Sequence, residues 1–416
     1  MVYLHKYAII LAGGRGSRLP IAGETPKQFA PKYNGVTFVQ DIEDMIVKAG
    51  FKPSRIIVVV TNKKQKEFAE EQLGDKGVPS TNIVEFDPHY GYVAVQAKAV
   101  AYVAKHDPEA ICFLSPSDQS ITGQEKFNEA INLAYQHAAE GTPVQIGVKV
   151  YDANIVGGCG NARYDNTQEG PVYDILEFVE KPGDKENGKE LVTKILMQDD
   201  TVVNTGFYMV KASQFIEHYP EEKMDELLEK WYENQFGDDI GLDPTEMVKD
   251  LGMKLIIGRF GWQDCGTLEA YYKIQPKTPN HKNASIGDVD RFECARSLFV
   301  SSVDKVHIYA AYIRDCAVIA SVNDDGDVRV SVTNLKMSQD VRKITDFFES
   351  TGKSMSYSAK SHNCTIVPSN NSKQTKVAFL GVQNVYVQVN QLRNKDINVN
   401  VSASPTGDCT CEDAEE

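Results

Sequence analysis

The apolar and polar positions of residues 1–260 alternate between two kinds of segment. Short and nearly continuous apolar runs predict buried strands at 7–10, 55–60, 82–86, 110–114 and 144–150. Between them, apolar residues recur at helical spacing and predict helices at 37–48, 62–73, 92–105 and 124–139. Thr37 and Asn62 are placed to cap the first two helices, and Gly50 is placed to end the first. Continuous apolar strands that alternate with helices predict a mostly parallel sheet with helices on both faces.

The pattern changes after the fifth strand. Residues 157–182 are rich in glycine, and their apolar and polar residues alternate, which predicts a smaller antiparallel insertion. Regular segments return at 201–211, 221–233, 244–251 and 255–260. A polar stretch with two prolines follows, and alternating segments at 298–332 and 377–389 then predict β-hairpins, the first with a turn at 323–326. We therefore expect an α/β, Rossmann-like fold with a smaller C-terminal β-rich region. Its predicted parts are a catalytic domain at 1–275, a linker and β-hairpin segment at 276–335, and a β-rich segment with a disordered acidic tail at 336–416.

A glycine-rich turn follows the first predicted strand. Residues 11–19 read Leu-Ala-Gly-Gly-Arg-Gly-Ser-Arg-Leu, and Pro-Lys-Gln-Phe follows at 26–29. Glycine lets the main chain approach a ligand closely, and successive N–H groups in such a turn form a concavity for anions. Arg15, Arg18 and Lys27 add positive charge, so the segment is suited to a polyphosphate. Leu19 replaces the third glycine of a dinucleotide fingerprint, and no Gly-Lys-Ser/Thr completes a P-loop. The glycines alone are equally consistent with an ordinary tight turn.

Composition narrows the function classes. The chain has 416 residues and a net charge of −14, which argues against a general binder of nucleic acid or membrane surfaces. Its apolar runs fall short of the roughly 20 residues that span a bilayer, and the N-terminal run lacks the pattern of a signal peptide. The eight cysteines show no metal-ligand spacing, which is typical of free thiols in a reducing compartment. We expect a cytoplasmic protein.

The glycine-rich turn and Pro-Lys-Gln-Phe together resemble the signature of sugar-1-phosphate nucleotidyltransferases, and the Lys-Gln-Phe version resembles the mannose-1-phosphate guanylyltransferase branch. A similar Pro-Lys-Gln before an aromatic residue also occurs in the cytidylyltransferase of isoprenoid synthesis. Four later motifs add to the resemblance, which covers about residues 5–335: Leu-Ser-Pro-Ser-Asp at 114–118, Val-Glu-Lys-Pro at 179–182, Val-Asn-Thr-Gly at 203–206 and Gly-Trp-Gln-Asp-Cys-Gly-Thr at 261–267.

The resemblance implies nucleotidyl transfer from a nucleoside triphosphate to a sugar 1-phosphate, with Mg²⁺ as cofactor. It assigns triphosphate binding and charge stabilisation to Arg15 and Lys27, and Mg²⁺ ligation to Asp118 and Asp264. It assigns sugar and sugar-phosphate contacts to Gly147, Glu180, Lys181 and Asn204. The nucleotide would contact the turn and the helix beside it, at Leu11, Ala12, Gly13, Gly14, Gly16 and Gln96. Taken alone, each of these side chains could equally be a surface charge, a cap or a turn residue.

The segment beside the nucleobase departs from the family. Gly-Tyr-Val-Ala-Val-Gln stands at 91–96 where relatives usually carry Arg-Asn-Thr-Ala-Pro, so the choice of base stays open. GTP with mannose 1-phosphate is the leading prediction, and UTP or dTTP with glucose 1-phosphate is the alternative. A non-catalytic sugar-nucleotide sensor is a hypothesis of another class. The C-terminal β-segments could also pair between copies and form a homo-oligomer.

Overall fold

A computed structural model describes residues 5–14, 25–33, 35–234, 239–301, 306–322, 327–341, 347–348, 356–361, 364–367, 375–391 and 397–403. The chain divides into two compact units. The first comprises residues 1–14 and 38–264, and the second comprises 15–37 and 265–416. The domain boundaries that we drew at 275 and 335 stay predictions.

Nine strands of the first unit form one mixed sheet in the order β5-β4-β1-β6-β11-β8-β12-β10-β9. The strands of the chain up to residue 264 are β1 (Lys6–Leu11), β2 (Pro31–Tyr33), β3 (Val36–Thr37), β4 (Ile56–Val60), β5 (Ile83–Glu85), β6 (Ile111–Pro116), β7 (Gln119–Thr122), β8 (Val144–Val148), β9 (Asn161–Tyr164), β10 (Val172–Val179), β11 (Thr201–Lys211), β12 (Lys254–Gly258) and β13 (Gly261–Asp264). Of these, β2 and β3 pair with each other in the second unit. Strands β5, β4, β1 and β6 pair in parallel, as the apolar runs predict.

The far half of the sheet contains most of its antiparallel pairs. Strand β11 runs antiparallel to both β6 and β8, while β12 is parallel to β8. The predicted antiparallel insertion is the pair β9 and β10, which extends the main sheet because β10 also pairs with β12. The α/β, Rossmann-like class with a C-terminal β region is thereby confirmed.

Helices cover the sheet on both sides. They are α1 (Phe38–Lys48), α2 (Lys63–Leu73), α3 (Gly91–Ala104), α4 (Gln124–Ala139), α5 (Ala153–Gly158), α6 (Gly188–Leu196), α7 (Ala212–His218), α8 (Glu221–Asn234) and α9 (Pro244–Asp250), with α10 (Leu268–Ile274) in the second unit. Leu114 and Tyr208 pack in one core with α3. Their neighbours Phe113 and Phe207 point to the opposite face, where their ring centroids lie 6.3 and 5.8 Å from that of Phe127 on α4. Alternation along β6 and β11 thus builds both cores at once.

The second unit contains two further sheets, ordered β14-β16-β18-β19-β22-β20 and β15-β17-β24-β23-β21. Their strands are β14 (Ala284–Ile286), β15 (Asp288–Phe292), β16 (Leu298–Ser301), β17 (Val306–Ala311), β18 (Cys316–Val322), β19 (Val328–Asn334), β20 (Ser356–Ala359), β21 (Thr365–Val367), β22 (Thr375–Leu380), β23 (Val385–Gln391) and β24 (Ile397–Ala403). Valine and phenylalanine side chains from both sheets share one core.

The β-hairpin prediction for this unit was partly wrong. Antiparallel neighbours are formed by β18 with β19 and by β23 with β24. Strands β14 to β17 instead alternate between the two sheets. Strands β14, β15 and β16 each pair in parallel with the next strand but one, and β17 pairs in parallel with β24. Alternating apolar residues mark a half-buried strand but not its partner, which explains the difference. The predicted turn at 323–326 and the acidic tail lie outside the described residues.

The described helices include none with the length and apolar character that a membrane span requires.

Lys6 gives the first unit a pH-dependent stability. Its side chain is buried, its Nζ donates to the Ala49 carbonyl at 2.8 Å, and burial lowers its pKa to about 8. Between that value and the ordinary 10.5, the unfolded chain binds more protons at this site than the folded chain, so stability rises with pH. We expect the free energy of unfolding of the wild type to rise relative to Lys6→Met by about 3 kcal/mol from about pH 7 to about pH 10. Chemical denaturation at both pH values measures this, with the exposed Lys52→Met as control; parallel pH curves for wild type and Lys6→Met would refute it.

Candidate active site

The predicted ligand-binding segments meet at one edge of the main sheet. Strands β1, β4 and β6 are parallel, so their carboxyl ends lie at the same edge, where ligands bind in open α/β sheets. Residues 12–14 follow β1, and Asp118 follows β6. The pairing of β1 with β4 continues one residue further, because the Ala12 N–H donates to the Val59 carbonyl at 2.8 Å.

The β4–α2 connection fixes the start of the glycine-rich turn. Thr61 Oγ1 donates to the Gly13 carbonyl at 2.9 Å, and Gln65 Nε2 donates to the carbonyls of Gly13 and Gly14 at 3.3 Å. A Cβ on Gly13 would lie 2.5 Å from Thr61 Cγ2, whereas a Cβ on Gly14 would meet no atom within 4 Å. Gly13 is therefore required by packing, whereas Gly14 is exposed and has room for a side chain. Thr61 and Gln65 were not predicted from the sequence. Their signal is position, because Thr61 directly follows a buried strand and Gln65 lies in the first turn of α2.

Alanine substitutions should separate these two glycines. We expect Gly14→Ala to leave the Tm unchanged and to raise the KM for the nucleoside triphosphate about tenfold, because the new methyl group keeps phosphate oxygens from the turn. Gly13→Ala should lower both Tm and activity, because Thr61 must move. Thermal unfolding and steady-state kinetics test the pair. A Gly14→Ala enzyme with unchanged KM would place the triphosphate elsewhere.

Backbone pairing brings the two predicted metal ligands together. Strands β7 and β13 form an antiparallel pair in which Asp264 lies opposite Gln119, the residue after Asp118. Both carboxylates are half-buried. Two residues that are far apart in sequence thus occupy neighbouring places at the carboxyl edge of the sheet. Sequence spacing alone could not show this.

Glu180 and Lys181 follow β10 and contact each other. Lys181 Nζ lies 2.8 Å from Glu180 Oε1, and Lys181 adopts a left-handed backbone with φ +41°. A Cβ on Gly160 would lie 2.6 Å from Glu180 Oε2, and the Gly160 carbonyl accepts from the Asn204 N–H at 2.8 Å. Gly160 therefore lies between Glu180 and Asn204, where a side chain would clash with Glu180. This role was not predicted, although the glycine cluster before β9 indicates it.

Asn204 lies in an irregular part of β11. Its Nδ2 donates to Tyr208 Oη at 2.7 Å, and its Oδ1 accepts from the Gly206 N–H at 3.1 Å. The second N–H of the amide can still donate to a ligand. Gly147 pairs with Asn204 across the strands. A Cβ on Gly147 would lie 2.4 Å from Val202 Cγ2, so packing alone already requires glycine there.

The charges of these segments act on one thiol. Burial raises the pKa of Cys159 to about 12; the negative charges of Asp264, Glu180 and Asp118 contribute to this rise, while Lys181 opposes it. Four charged groups from three segments of the first unit therefore lie near the same sulfur. Their fields also reach α3, since burial and then the charges of Tyr208, Glu180 and Asp118 raise the pKa of the Tyr92 hydroxyl.

Gln96 lies one helical turn after Tyr92, on α3. Its side chain has no exposed surface, and among the described residues neither its Oε1 nor its Nε2 makes a hydrogen bond of good geometry, although the amide lies close to the Tyr92 hydroxyl. Leaving a buried amide unpaired costs about 1–3 kcal/mol. A nucleobase could restore these hydrogen bonds only after the side chains above Gln96 move, so its contact with the base stays a prediction.

The structure leaves four other predicted residues untested. Arg15, Gly16 and Arg18 fall outside the described residues. Lys27 belongs to the second unit, where it is buried and its Nζ donates to the Cys265 carbonyl at 3.3 Å. Its catalytic role stays a prediction.

The donor set fits a metal that shares its ligands with a substrate. Among the described residues, no group of three or more His, Cys, Asp or Glu side chains could hold a metal ion by itself. Two aspartates at adjacent backbone positions nonetheless suit Mg²⁺, which usually takes one or two carboxylates and completes its shell with water and phosphate oxygens. Asp118 and Asp264 are the residues that would hold it.

Comparison with known proteins identifies the family of the chain. The nucleotidyl transferase family matches residues 7–281, about two thirds of the chain. The chain belongs to this family. Members generally use a divalent metal, and their reaction is nucleotidyl transfer, so the protein is an enzyme of that class.

The chain is also similar to two individual relatives and to one solved structure. The mannose-1-phosphate guanylyltransferase of Escherichia coli is 26% identical over 369 residues, which covers 82% of this chain and 73% of the relative. The alginate biosynthesis protein AlgA of Pseudomonas aeruginosa is 26% identical over 355 residues, which covers 79% of this chain and 71% of that protein. A structure described as the mannose-1-phosphate geranyltransferase of Thermus thermophilus superposes with a TM-score of 0.64. It shares 20% identity, covers 83% of this chain and 100% of its own, and supports the fold alone.

Proposed function

We propose that this nucleotidyltransferase joins a nucleoside triphosphate to a sugar 1-phosphate and releases pyrophosphate, with GTP and mannose 1-phosphate as its substrates. The observation that carries the proposal is the β7–β13 pairing, in which Asp264 lies opposite the residue after Asp118; Glu180 and Lys181 lie near the same thiol, Cys159, as the two aspartates. The similarity to the mannose-1-phosphate guanylyltransferase of Escherichia coli supports the choice of substrates.

The reaction needs positioning more than acid–base chemistry. A phosphate oxygen of the sugar 1-phosphate forms a bond to the α-phosphorus, and the bond from that phosphorus to the oxygen that bridges it to the β-phosphate breaks. The attacking oxygen is already anionic, so no proton has to be removed. The difficulty is to hold several negative charges in line, which fixed cations and N–H groups overcome. Magnesium, when bound, would neutralise phosphate charge.

Each predicted side chain has one task in this scheme. The backbone N–H groups of the glycine-rich turn would bind phosphate, and Asp118 and Asp264 would hold the metal. Glu180 would accept hydrogen bonds from sugar hydroxyls, and Lys181 would bind the sugar phosphate. The other assignments are triphosphate binding by Arg15 and Lys27, sugar contacts by Asn204 and the Gly147 backbone, and nucleotide contacts by Leu11, Ala12, Gly13, Gly16 and Gln96.

A substrate grid tests the proposal. Pyrophosphate release is measured for GTP, UTP, dTTP, ATP and CTP against mannose 1-phosphate and glucose 1-phosphate, with and without Mg²⁺. We expect the highest kcat/KM for GTP with mannose 1-phosphate and no turnover in excess chelator. A preference for UTP or dTTP with glucose 1-phosphate would contradict the proposed substrates but support the proposed reaction. Binding of GDP-mannose without turnover of any pair would favour a sensor.

Self-association through the C-terminal β-segments is a further part of the proposal. The strands of the second unit leave sheet edges at β14, β15, β20 and β21, and such edges can pair between chains. The mass of the full chain in solution tests this.

A further inference from the structure

Gln119 connects two strands that the proposed metal site depends on. It directly follows Asp118 and is only 5% exposed although its side chain is polar. Its Oε1 accepts a hydrogen bond from Trp262 Nε1 at 2.7 Å. Trp262 lies on β13, two residues before Asp264. The two carboxylate-bearing segments are therefore joined by side chains as well as by the backbone.

The same amide also reaches the proposed sugar site. Gln119 Nε2 donates to the carbonyl of Thr205, the residue after Asn204. Thr205 is part of the irregular turn in β11, and its Oγ1 donates to the Ile146 carbonyl at 2.6 Å. A displacement of this turn therefore changes the distance between the Thr205 carbonyl and Gln119.

A second side chain braces the turn from another direction. Tyr92 Oη donates to the Gly206 carbonyl at 3.3 Å from α3, a helix that carries neither carboxylate. Adjacent carbonyls of the turn thus accept hydrogen bonds from two different elements. Of these two bonds, the one from Gln119 leads to the segments with Asp118 and Asp264.

We propose that Gln119 is a positioning residue that couples sugar 1-phosphate binding to metal binding. The inference rests on the proposed function. A sugar held by Asn204 fixes the Thr205 carbonyl, and the Gln119 amide transmits that position to Asp118 on one side and to Trp262 on the other. Because such coupling is reciprocal, metal should tighten sugar phosphate by the same factor as sugar phosphate tightens metal.

Calorimetry on the full chain measures this coupling without turnover. Mannose 1-phosphate is titrated with and without Mg²⁺, and Mg²⁺ is titrated with and without mannose 1-phosphate. We expect the wild type to bind each about tenfold more tightly in the presence of the other. In Gln119→Met, which removes both hydrogen bonds, that factor should fall to about one. Gln119→Glu keeps an acceptor for Trp262 but loses the donor to Thr205, and it should lose the coupling as well.

Tyr92→Phe is the matched comparison. It removes one hydrogen bond to the same turn, so it should weaken sugar phosphate binding with and without Mg²⁺ to the same extent and leave the coupling factor near its wild-type value. If Gln119→Met does not fold, Trp262→Phe replaces it as the test variant. Trp262→Phe removes the hydrogen bond to Gln119 Oε1 and should reduce the coupling factor.

The outcomes distinguish a failure of the coupling role of Gln119 from a failure of the proposed function. A folded Gln119→Met or Gln119→Glu with lower Tm and wild-type coupling would show a merely structural role and overturn the inference. Loss of coupling in Tyr92→Phe to the same degree would do so too, because the connection to the metal strands would then be irrelevant. A wild type that neither binds nor turns over any sugar 1-phosphate would instead overturn the proposed function.

Discussion

Replacement of Asp264 by asparagine is expected to lower kcat for pyrophosphate release by roughly 10²–10³-fold. Asparagine has nearly the same shape, so it preserves the β7–β13 pairing but removes the negative charge opposite Gln119. Mg²⁺ would lose one of its two protein carboxylates, and the transferring phosphate would lose part of its charge neutralisation. Steady-state kinetics at several Mg²⁺ concentrations measure the effect, which excess Mg²⁺ should reduce only in part.

Two further variants test whether the loss of kcat comes from metal binding. Asp75→Asn removes the same charge from an exposed turn of the same unit and should leave kcat unchanged. Asp118→Asn should resemble Asp264→Asn, and the double variant should lose much less than the product of the two single losses, because the two carboxylates act on one ion. Full multiplication of the two effects would show that they serve separate purposes.

Substitution of Lys181 by methionine should reduce kcat/KM for the sugar 1-phosphate by about 10²-fold, the effect typical of losing one charge-stabilising contact. The side chain is exposed and its charge lies beside Glu180, so methionine removes the cation that we assign to the sugar phosphate. The KM for the nucleoside triphosphate should change little, since the glycine-rich turn is a separate segment. Kinetics with each substrate varied in turn distinguish the two sites, and a loss confined to the triphosphate would contradict the assignment.

Lys181→Gly separates the side chain from the backbone. Glycine adopts φ near +41° without the cost of a Cβ, whereas lysine in the left-handed region costs roughly 1–2 kcal/mol. We therefore expect Lys181→Gly to be as inactive as Lys181→Met but at least as stable as the wild type. The exposed Lys185→Met, a little further along the chain, should affect neither property. If Lys181→Gly retains activity, the backbone at this position matters and the charge does not.

Most of the first unit was predictable because its elements are fixed locally. The helix predicted at 124–139 has those bounds, and Asn62 caps α2 through the Gln65 N–H as its position suggested. Strand partners were less predictable. Nothing in the run at 201–211 shows that β11 inserts antiparallel between β6 and β8, because the residues it contacts are brought there by long-range pairing.

The candidate site shows the same division between local and long-range information. Motifs pointed to Asp118, Asp264, Glu180 and Lys181 by resemblance, but the proximity of the two aspartates follows from the β7–β13 pairing. Side chains that hold backbone in place carry no motif. Gln65, Gln119 and Tyr92 each bind a main-chain carbonyl of a ligand-binding segment, and a glutamine or tyrosine in sequence does not reveal such a partner.

The close packing around Gly147 limits how this enzyme can be recombined with its relatives. Val202 Cγ2 and Leu255 Cδ1 occupy the volume that a side chain at 147 would need, and they come from the strands on either side of β8. A chimera that imports β8 alone from a protein with a larger residue at this place would push both neighbours apart. Grafts intended to alter sugar preference should therefore exchange β8, β11 and β12 as one block.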